Sequence, residues 1–303
     1  MNTLIVKLGA TGDVVRTTPL LRRLEGQVTW LTETKNTVLL EKLADNLQCL
    51  AWNQLPLVPN VRFDLVINLE DSLEVGLYLR TLKYKELFGA YLDSLNKLQY
   101  TDNSRRWFDL SLISRFGRKR ADRLKLQNRR TYQELIFEGL GLEFNGDAYL
   151  LPSRIETGLS GDIAIATEAG AVWPMKRWAY YQDLQARLEG QGLTVNILPK
   201  RSSLLEHLCD VQNHQCLVGG DSLPMHFALG TGTRCVTLFT CTSPWEICDY
   251  GVQRKIVSPL LEEFFYKRVY DPRATTAITL DEVLDSVMRQ VETAPSGGNP
   301  ITN

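Results

Sequence analysis

A chain of 303 residues that is 44% hydrophobic and 23% charged has room for two domains and the balance of a soluble globular protein. Its 34 Lys and Arg against 35 Asp and Glu leave a formal net charge of -1, which excludes a chain-wide attraction to nucleic acid or to an anionic membrane. No apolar run approaches the ~20 residues that span a bilayer, so membrane contact would have to be peripheral. The six cysteines are scattered without a Cys-x-x-Cys pair, and no signal-peptide core opens the chain, so reduced thiols in the cytoplasm are expected. Cys235, Cys241 and Cys248 stand at gaps that do not match common zinc spacings. They read as buried structural thiols, and no metal site is expected.

Residues 3–8 read as a strand, Gly9 to Asp13 as a glycine-bearing turn, and the segment through Leu24 as a helix. Two more apolar runs, 28–31 and 63–69, read as strands with helical patterns around them, and alternating strands and helices imply a covered parallel sheet. Asn68, Leu69, Glu70 and Asp71 place polar groups at the carboxyl edge of the third strand. From residue 77 to about 142 the pattern is mostly helical. Within it, residues 115–130 hold eight basic residues against the single acid Asp122. Such a segment is either a solvated helix face or, through Arg118, Lys119 and Arg120, a surface for an anionic acceptor or anionic headgroups.

A linker at 151–161 precedes a second α/β series with strands at 162–167, 193–198, 215–219 and 235–239. Thr279, with Glu282 three residues on, forms a capping box for a closing helix that runs to residue 293. The tail 294–303, rich in Pro, Gly, Ser and Asn, reads as disordered. The organisation is thus a first α/β lobe, 1–152, a second, 153–279, a closing helix, 280–293, and the tail, with a cleft between the lobes.

Asp13 is the first residue to suspect of chemistry, because a carboxylate at the carboxyl end of a first strand sits where open α/β sheets bind ligands. The same Gly-x-x-Gly-Asp also describes a turn in which Asp serves the helix dipole. In the second lobe, Gly219 to His226 follows a strand and opens a helix, where backbone N–H groups suit a phosphate and Asp221, Ser222 and His226 offer side-chain hydrogen bonds. Lys176, in Trp173 Pro174 Met175 Lys176 Arg177 Trp178, offers a compact positive charge for a diphosphate. It also reads as a surface lysine between two packing tryptophans.

In this order the signals bring a family into view. Gly12 Asp13 Val14 with the apolar segment Pro19 to Leu24, Asn68 Leu69 Glu70, Lys176 Arg177 Trp178, Gly220 Asp221 Ser222 with Met225 His226, and Leu238 Phe239 before Thr242 Ser243 Pro244 carry it. The chain resembles glycosyltransferase family 9, the ADP-heptose:lipopolysaccharide heptosyltransferases, over nearly its whole length. The resemblance implies a GT-B fold of two Rossmann-like lobes, the first holding the acceptor and the second the nucleotide-sugar. It further implies an inverting, metal-independent transfer with no cofactor besides the nucleotide-sugar substrate. Asp13 matches the proposed general base, Lys176 the phosphate-binding lysine, and Asp221, Ser222 and His226 the donor-binding motif. Thr242 matches a loop position to which no role is assigned.

Three departures from the family pattern accompany the match. Leu223 stands where relatives carry a glycine that lets phosphate approach the backbone. After residue 198, a glycine loop, a glutamate-bearing helix and a strand are missing, and with them a glutamate for the nucleotide ribose. Residues 258–269 lack the cysteines of many relatives. Lys200 and Arg201 are either solvated or compensate by meeting the diphosphate or an anionic sugar.

The expected function is therefore a cytoplasmic heptosyltransferase, peripheral to the membrane at most, acting on a lipopolysaccharide-type glycolipid or glycan and not on nucleic acid. Two alternatives stay open: an inactive relative that serves as a binding or scaffold subunit, and a transferase acting on a protein or a small-molecule glycoside.

Overall fold

The computed structural model describes residues 1–109, 116–170 and 172–292. They form two compact units, the first of Met1–Ile155 with Ser202–Leu205 and Ser243–Tyr250, the second of Glu156–Arg201, Glu206–Thr242 and the described residues from Gly251 on.

The first unit is built on β1 (Asn2–Val6), β2 (Gln27–Thr32), β3 (Leu47–Ala51), β4 (Arg62–Asn68), β5 (Lys83–Leu92) and β6 (Leu98–Tyr100), in the order β3-β2-β1-β4-β5-β6. All neighbours are parallel except the antiparallel pair β5 and β6. Leu4, Ile5 and Val6 of central β1 are wholly buried. A strand covered on both faces reads as an unbroken apolar run rather than an alternation. The segment beyond the turn divides: Thr11–Thr17 is α-helical and Thr18–Arg22 is a 3-10 helix. Pro19, which has no amide hydrogen and crowds the preceding turn, explains why the predicted single helix is interrupted.

The mostly helical reading of 77–142 is corrected by β5 and β6. Lys, Glu and Leu in 83–92 favour a helix locally, but parallel pairing with β4 from Arg62↔Lys83 to Asn68↔Gly89 makes the segment a strand. Gly89 is held at φ +132°, and a Cβ there would stand 1.9 Å from the Asn68 carbonyl oxygen. Only glycine fits that crossing. Strand β3 likewise has no counterpart among the predicted strands. Helices do form at Arg118–Gln127 and Tyr132–Gly139. The second begins in a capping box: Thr131 Oγ1 accepts from the Glu134 amide at 3.2 Å and Glu134 Oε2 from the Thr131 amide at 2.6 Å.

The second unit is built on β7 (Gly161–Ala166), β8 (Val195–Ile197), β9 (His214–Gly220), β10 (Arg234–Phe239) and β11 (Gln253–Val257), all parallel, in the order β11-β10-β9-β7-β8. The four predicted strands are present and β11 is additional. Ile163, Ile165, Trp178, Leu184, Val218 and Leu238 form its core together with Val283 and Val287 of the helix Leu280–Glu292. The Trp178 indole also donates to the Ile278 carbonyl at 2.9 Å, so this large side chain is buried with its polar atom satisfied. At the start of the closing helix, the Thr279 hydroxyl accepts from the Glu282 amide at 3.4 Å. Residue 293, the tail 294–303 and Arg115 lie outside the described residues.

Among the described residues no strand lies between β8 and β9, and the chain passes from β8 to the helix Leu204–Gln212. The direct run expected from the sequence between these two elements is present, and β8 is the rim of its sheet. Between the two elements the Arg201 guanidinium grips the wholly buried Asp210 carboxylate through bonds of 2.7 and 3.1 Å. Asp210 gives it an intramolecular partner in place of the anionic ligand considered from sequence. No helix among the described residues is long and apolar enough to cross a membrane.

Candidate functional site

In the first unit the chemistry gathers at the carboxyl ends of β1 and β4. Asp13 occupies the first turn of the helix Thr11–Thr17, and its side chain is 34% exposed. Arg16, one turn on, meets its Oδ1 at 2.8 Å, while Lys7 Nζ stands 3.9 Å from Oδ2. Lys7 follows β1, is only 5% exposed, and bonds Glu70 Oε1 at 2.9 Å and the Gly9 carbonyl. The same Glu70 oxygen accepts the amides of Leu8 at 2.7 Å and Gly9 at 3.4 Å. Asn68 at the end of β4 fixes Glu70 in turn, bonding its carbonyl at 2.8 Å and its amide at 3.0 Å. The turn that carries Asp13 is therefore tied to two strands.

Burial would lower the Lys7 pKa, but Asp13, Tyr132 and Glu70 hold it above its ordinary value. Arg16 behaves the same way: burial works against its charge, and Asp13, Tyr132 and Glu246 more than restore it. Its guanidinium lies 3.8 Å from the Tyr132 ring centroid. Burial pushes the Tyr132 phenol up to about 12, and its hydroxyl lies 2.8 Å from Thr17 Oγ1. This residue stays a neutral wall at ordinary pH. The Asp71 carboxyl is pushed upward, first by burial and then by the charge of Glu70.

Arg118, Lys119 and Arg120 lie exposed in the first turn of the helix Arg118–Gln127, with Arg120 stacked 4.4 Å from the Phe116 ring centroid. Lys125 of the same helix is 5% exposed and has its pKa lowered by burial, with Glu246 opposing and Arg16 assisting.

In the second unit, Lys176 ends a 3-10 turn, Pro174–Lys176, and Asp221 follows β9. The Lys176 ammonium donates to the Asp221 main-chain carbonyl at 2.8 Å and meets its carboxylate Oδ1 at 2.7 Å. Thr242, beyond β10, donates its hydroxyl to that same Oδ1 at 2.8 Å. An ammonium has three donors, so two are engaged here. Close approach of β9 makes the pairing feasible: a Cβ on Gly220 would stand 3.2 Å from the Lys176 carbonyl oxygen. Cys241, next to Thr242, has its thiol pushed up to about 11 by burial and by Asp221, against the opposing charge of Lys176.

Ser222 is the N-cap of the helix Leu223–Thr231, and its hydroxyl reaches the Gly220 carbonyl at 3.5 Å rather than capping the helix. His226 lies within that helix, 6% exposed, and Leu223 opens it. The structure thus brings Lys176 and Asp221 into contact and sets Ser222 and His226 on the adjoining turn and helix. Thr242 is the residue whose part the sequence did not disclose, although its loop position was visible. Lys7 and Arg16 were missed as companions of Asp13; the signal available was Lys at a strand end and Arg three residues after Asp13. Among the described residues, no three His, Cys, Asp or Glu side chains group as a metal site.

Residues 172–268 match the sequence model of glycosyltransferase family 9 (heptosyltransferase). The match encloses Lys176, Asp221, Ser222, His226 and Thr242. No curated protein matches the chain. Among solved structures, E. coli heptosyltransferase WaaC with ADP superposes with a TM-score of 0.61 at 14% identity, over 96% of this chain and 100% of that one. E. coli ADP-heptose lps heptosyltransferase II gives 0.62 at 13%, over 96% and 99%. The family 9 glycosyl transferase from Veillonella parvula gives 0.63 at 13%, over 97% of each. The fold is the GT-B type of these heptosyltransferases.

Proposed function

From a chain that carries glycosyltransferase family 9 sequence over residues 172–268 and the fold of heptosyltransferases throughout, we propose an inverting, metal-independent transfer of a heptose-like sugar. The donor is a nucleoside diphosphate sugar, ADP-heptose in the first instance, and the acceptor is a hydroxyl of a lipopolysaccharide-type glycolipid or glycan. The observation that carries this reading is the Lys176–Asp221–Thr242 centre inside the family segment, an ammonium fixed beside the opening of a helix. A leaving diphosphate gains charge as the glycosidic bond breaks. Lys176, with one donor left, neutralises it there. Asp13 takes the proton of the acceptor hydroxyl as that oxygen attacks the anomeric carbon from the face opposite the diphosphate.

The exposed Arg118, Lys119 and Arg120 support an anionic acceptor. Cations in the first turn of a helix oppose its dipole, so their presence serves something other than helix stability. The same patch would draw a cytoplasmic enzyme to an anionic glycolipid surface. A second reading, a scaffold subunit without turnover, draws on Leu223 at the helix opening and on the direct run from β8 to the helix Leu204–Gln212.

Calorimetric titration of nucleoside diphosphates and their sugars into the wild type and Lys176→Ala separates the two. The expected result is selective binding of one nucleotide, weakened about 10- to 100-fold by the substitution, as befits a lost charge-assisted hydrogen bond. Absence of binding to every nucleotide by folded protein would favour the scaffold.

A further inference from the structure

The geometry points to Lys7 as a positioning residue for Asp13: clamped by Glu70 and the Gly9 carbonyl, its buried ammonium holds the Asp13 carboxylate ionised and in place. It has this role only if Asp13 is the base of the proposed transfer, and nothing in the family segment at 172–268 assigns it. Lys7 is almost wholly enclosed, and enclosing an ammonium is costly unless opposite charges compensate it. Two carboxylates do so, Glu70 at 2.9 Å and Asp13 at 3.9 Å. The nearer and less exposed of them, 21% against 34%, serves as the anchor. Glu70 is in turn immobilised by the Leu8 amide and by Asn68. Asp13 is left on the solvent side, facing a fixed positive charge on one flank and Arg16 at 2.8 Å on the other.

The charged and titratable groups around this centre are Arg16, Tyr132 and Lys125 toward Asp13, Glu246 toward Arg16 and Lys125, and Glu70 and Asp71 toward Lys7. Tyr132 is neutral at ordinary pH, and Arg16 is stacked on it. Arg16 supplies the direct bond to Asp13. Lys7 supplies a charge that cannot swing away.

The test is the titration of the Asp13 carboxyl carbon by NMR in protein labelled at the Asp side-chain carboxyls, the resonance being assigned by its loss in Asp13→Asn. Lys7→Met should raise the Asp13 midpoint by about one pH unit, and Lys7→Arg should restore it. Glu70→Gln, which takes away a competing carboxylate, should move the midpoint the other way and remains readable if Lys7→Met fails to fold. A midpoint unmoved in Lys7→Met, or in Glu70→Gln where only that variant folds, overturns the role of Lys7 and leaves Asp13 as base untouched. Sugar transfer from ADP-heptose to a truncated lipopolysaccharide retained by Asp13→Asn overturns both.

Discussion

The two sheets share one plan and differ at their rims: the edge strand beyond the switch point is antiparallel in the first, β6, and parallel in the second, β11, and the opposite wing is one strand shorter in the second. In the first, β1 is flanked outward by β2 and β3; in the second, β7 is flanked by β8 alone. On the other side of each, β4 lies beside β1 and β9 beside β7, and there the chain direction of the doubly wound order switches. Each switch point carries the same device. A lysine from beyond the first strand meets an acid from beyond its neighbour, Lys7 with Glu70 at 2.9 Å and Lys176 with Asp221 at 2.7 Å. The second sheet is one strand shorter in that wing, and the lysine–acid pair stands at the switch point of both sheets. What distinguishes the edges is the third group, a carboxylate, Asp13, in one and a hydroxyl, Thr242, in the other. The first arrangement suits handling a proton, the second holding an anion.

The largest effect that would break this division comes from Asp13→Asn. Turnover should fall about 10²- to 10⁴-fold, the span of a lost general base, with donor affinity unchanged. Parallel measurement of transfer rate and donor binding checks it. A loss of donor affinity as large as the loss of rate would mean that the edges do not divide the work as described.

How much of this was legible in the sequence follows from the range of the forces involved. Strands β1 and β7 and the turns after β1 and β9 were readable because buried parallel strands are local apolar runs and glycine turns are local signals. The segment 83–92 was not, because its helix-favouring Lys and Glu yield to pairing with β4, a partner about twenty residues away in sequence. Asp13, Lys176 and Asp221 were visible as residues, but their partners were not. Lys7 and Glu70 meet 63 residues apart, and Thr242 reaches Asp221 across 21. Such contacts are set by topology. The direct link from β8 to the helix Leu204–Gln212 was legible because it joins two locally recognisable elements.

Arg201 tests how the shorter wing is held. Arg201→Met leaves the wholly buried Asp210 without its bidentate partner, which is the costly direction in which to break such a pair. Asp210→Asn leaves Arg201 able to turn toward water and should cost less, about 1–2 kcal/mol. Urea unfolding of both variants should rank them in that order. Equal losses would mean that the pair contributes little beyond packing, and that β8 is held by other bonds, such as those of Asn196 to Ser160 at 3.0 Å and to His214 at 3.0 Å.

A smaller effect separates the two edges again. Thr242→Val removes one of the two bonds that orient Asp221 Oδ1 and should weaken nucleotide binding about threefold, near the low end for a single neutral donor. The Asp13 titration should not respond. A response there would tie the edges together more closely than their separate networks imply.

The smallest expected effect is a pH dependence of opposite sign in the two units. In the first, Asp71 has one carboxylate oxygen buried without a hydrogen-bond partner and its pKa raised above 3.8. The folded chain then holds a proton that the unfolded chain releases, so stability falls as pH rises from about 3.8 through the folded value. Asp71→Asn should therefore stabilise the protein at neutral pH and not below that range. In the second, His207 has its Nδ1 buried without a partner, and burial holds its pKa below 6.5. Here the unfolded chain takes up the proton first, so stability is complete above 6.5 and is lost as pH falls below it. His207→Leu, packed against Phe227 as the imidazole is at 5.8 Å between centroids, should flatten that acid loss. His214 contributes the same sign, its Nδ1 donating to the Asp210 carbonyl at 2.6 Å and its pKa lowered mainly by burial. Urea midpoints of the wild type and the two variants across acid and neutral pH should show the Asp71 gain growing with alkalinity and the His207 gain growing with acidity. Gains that ran together with pH would refute the separate electrostatic wiring of the two units.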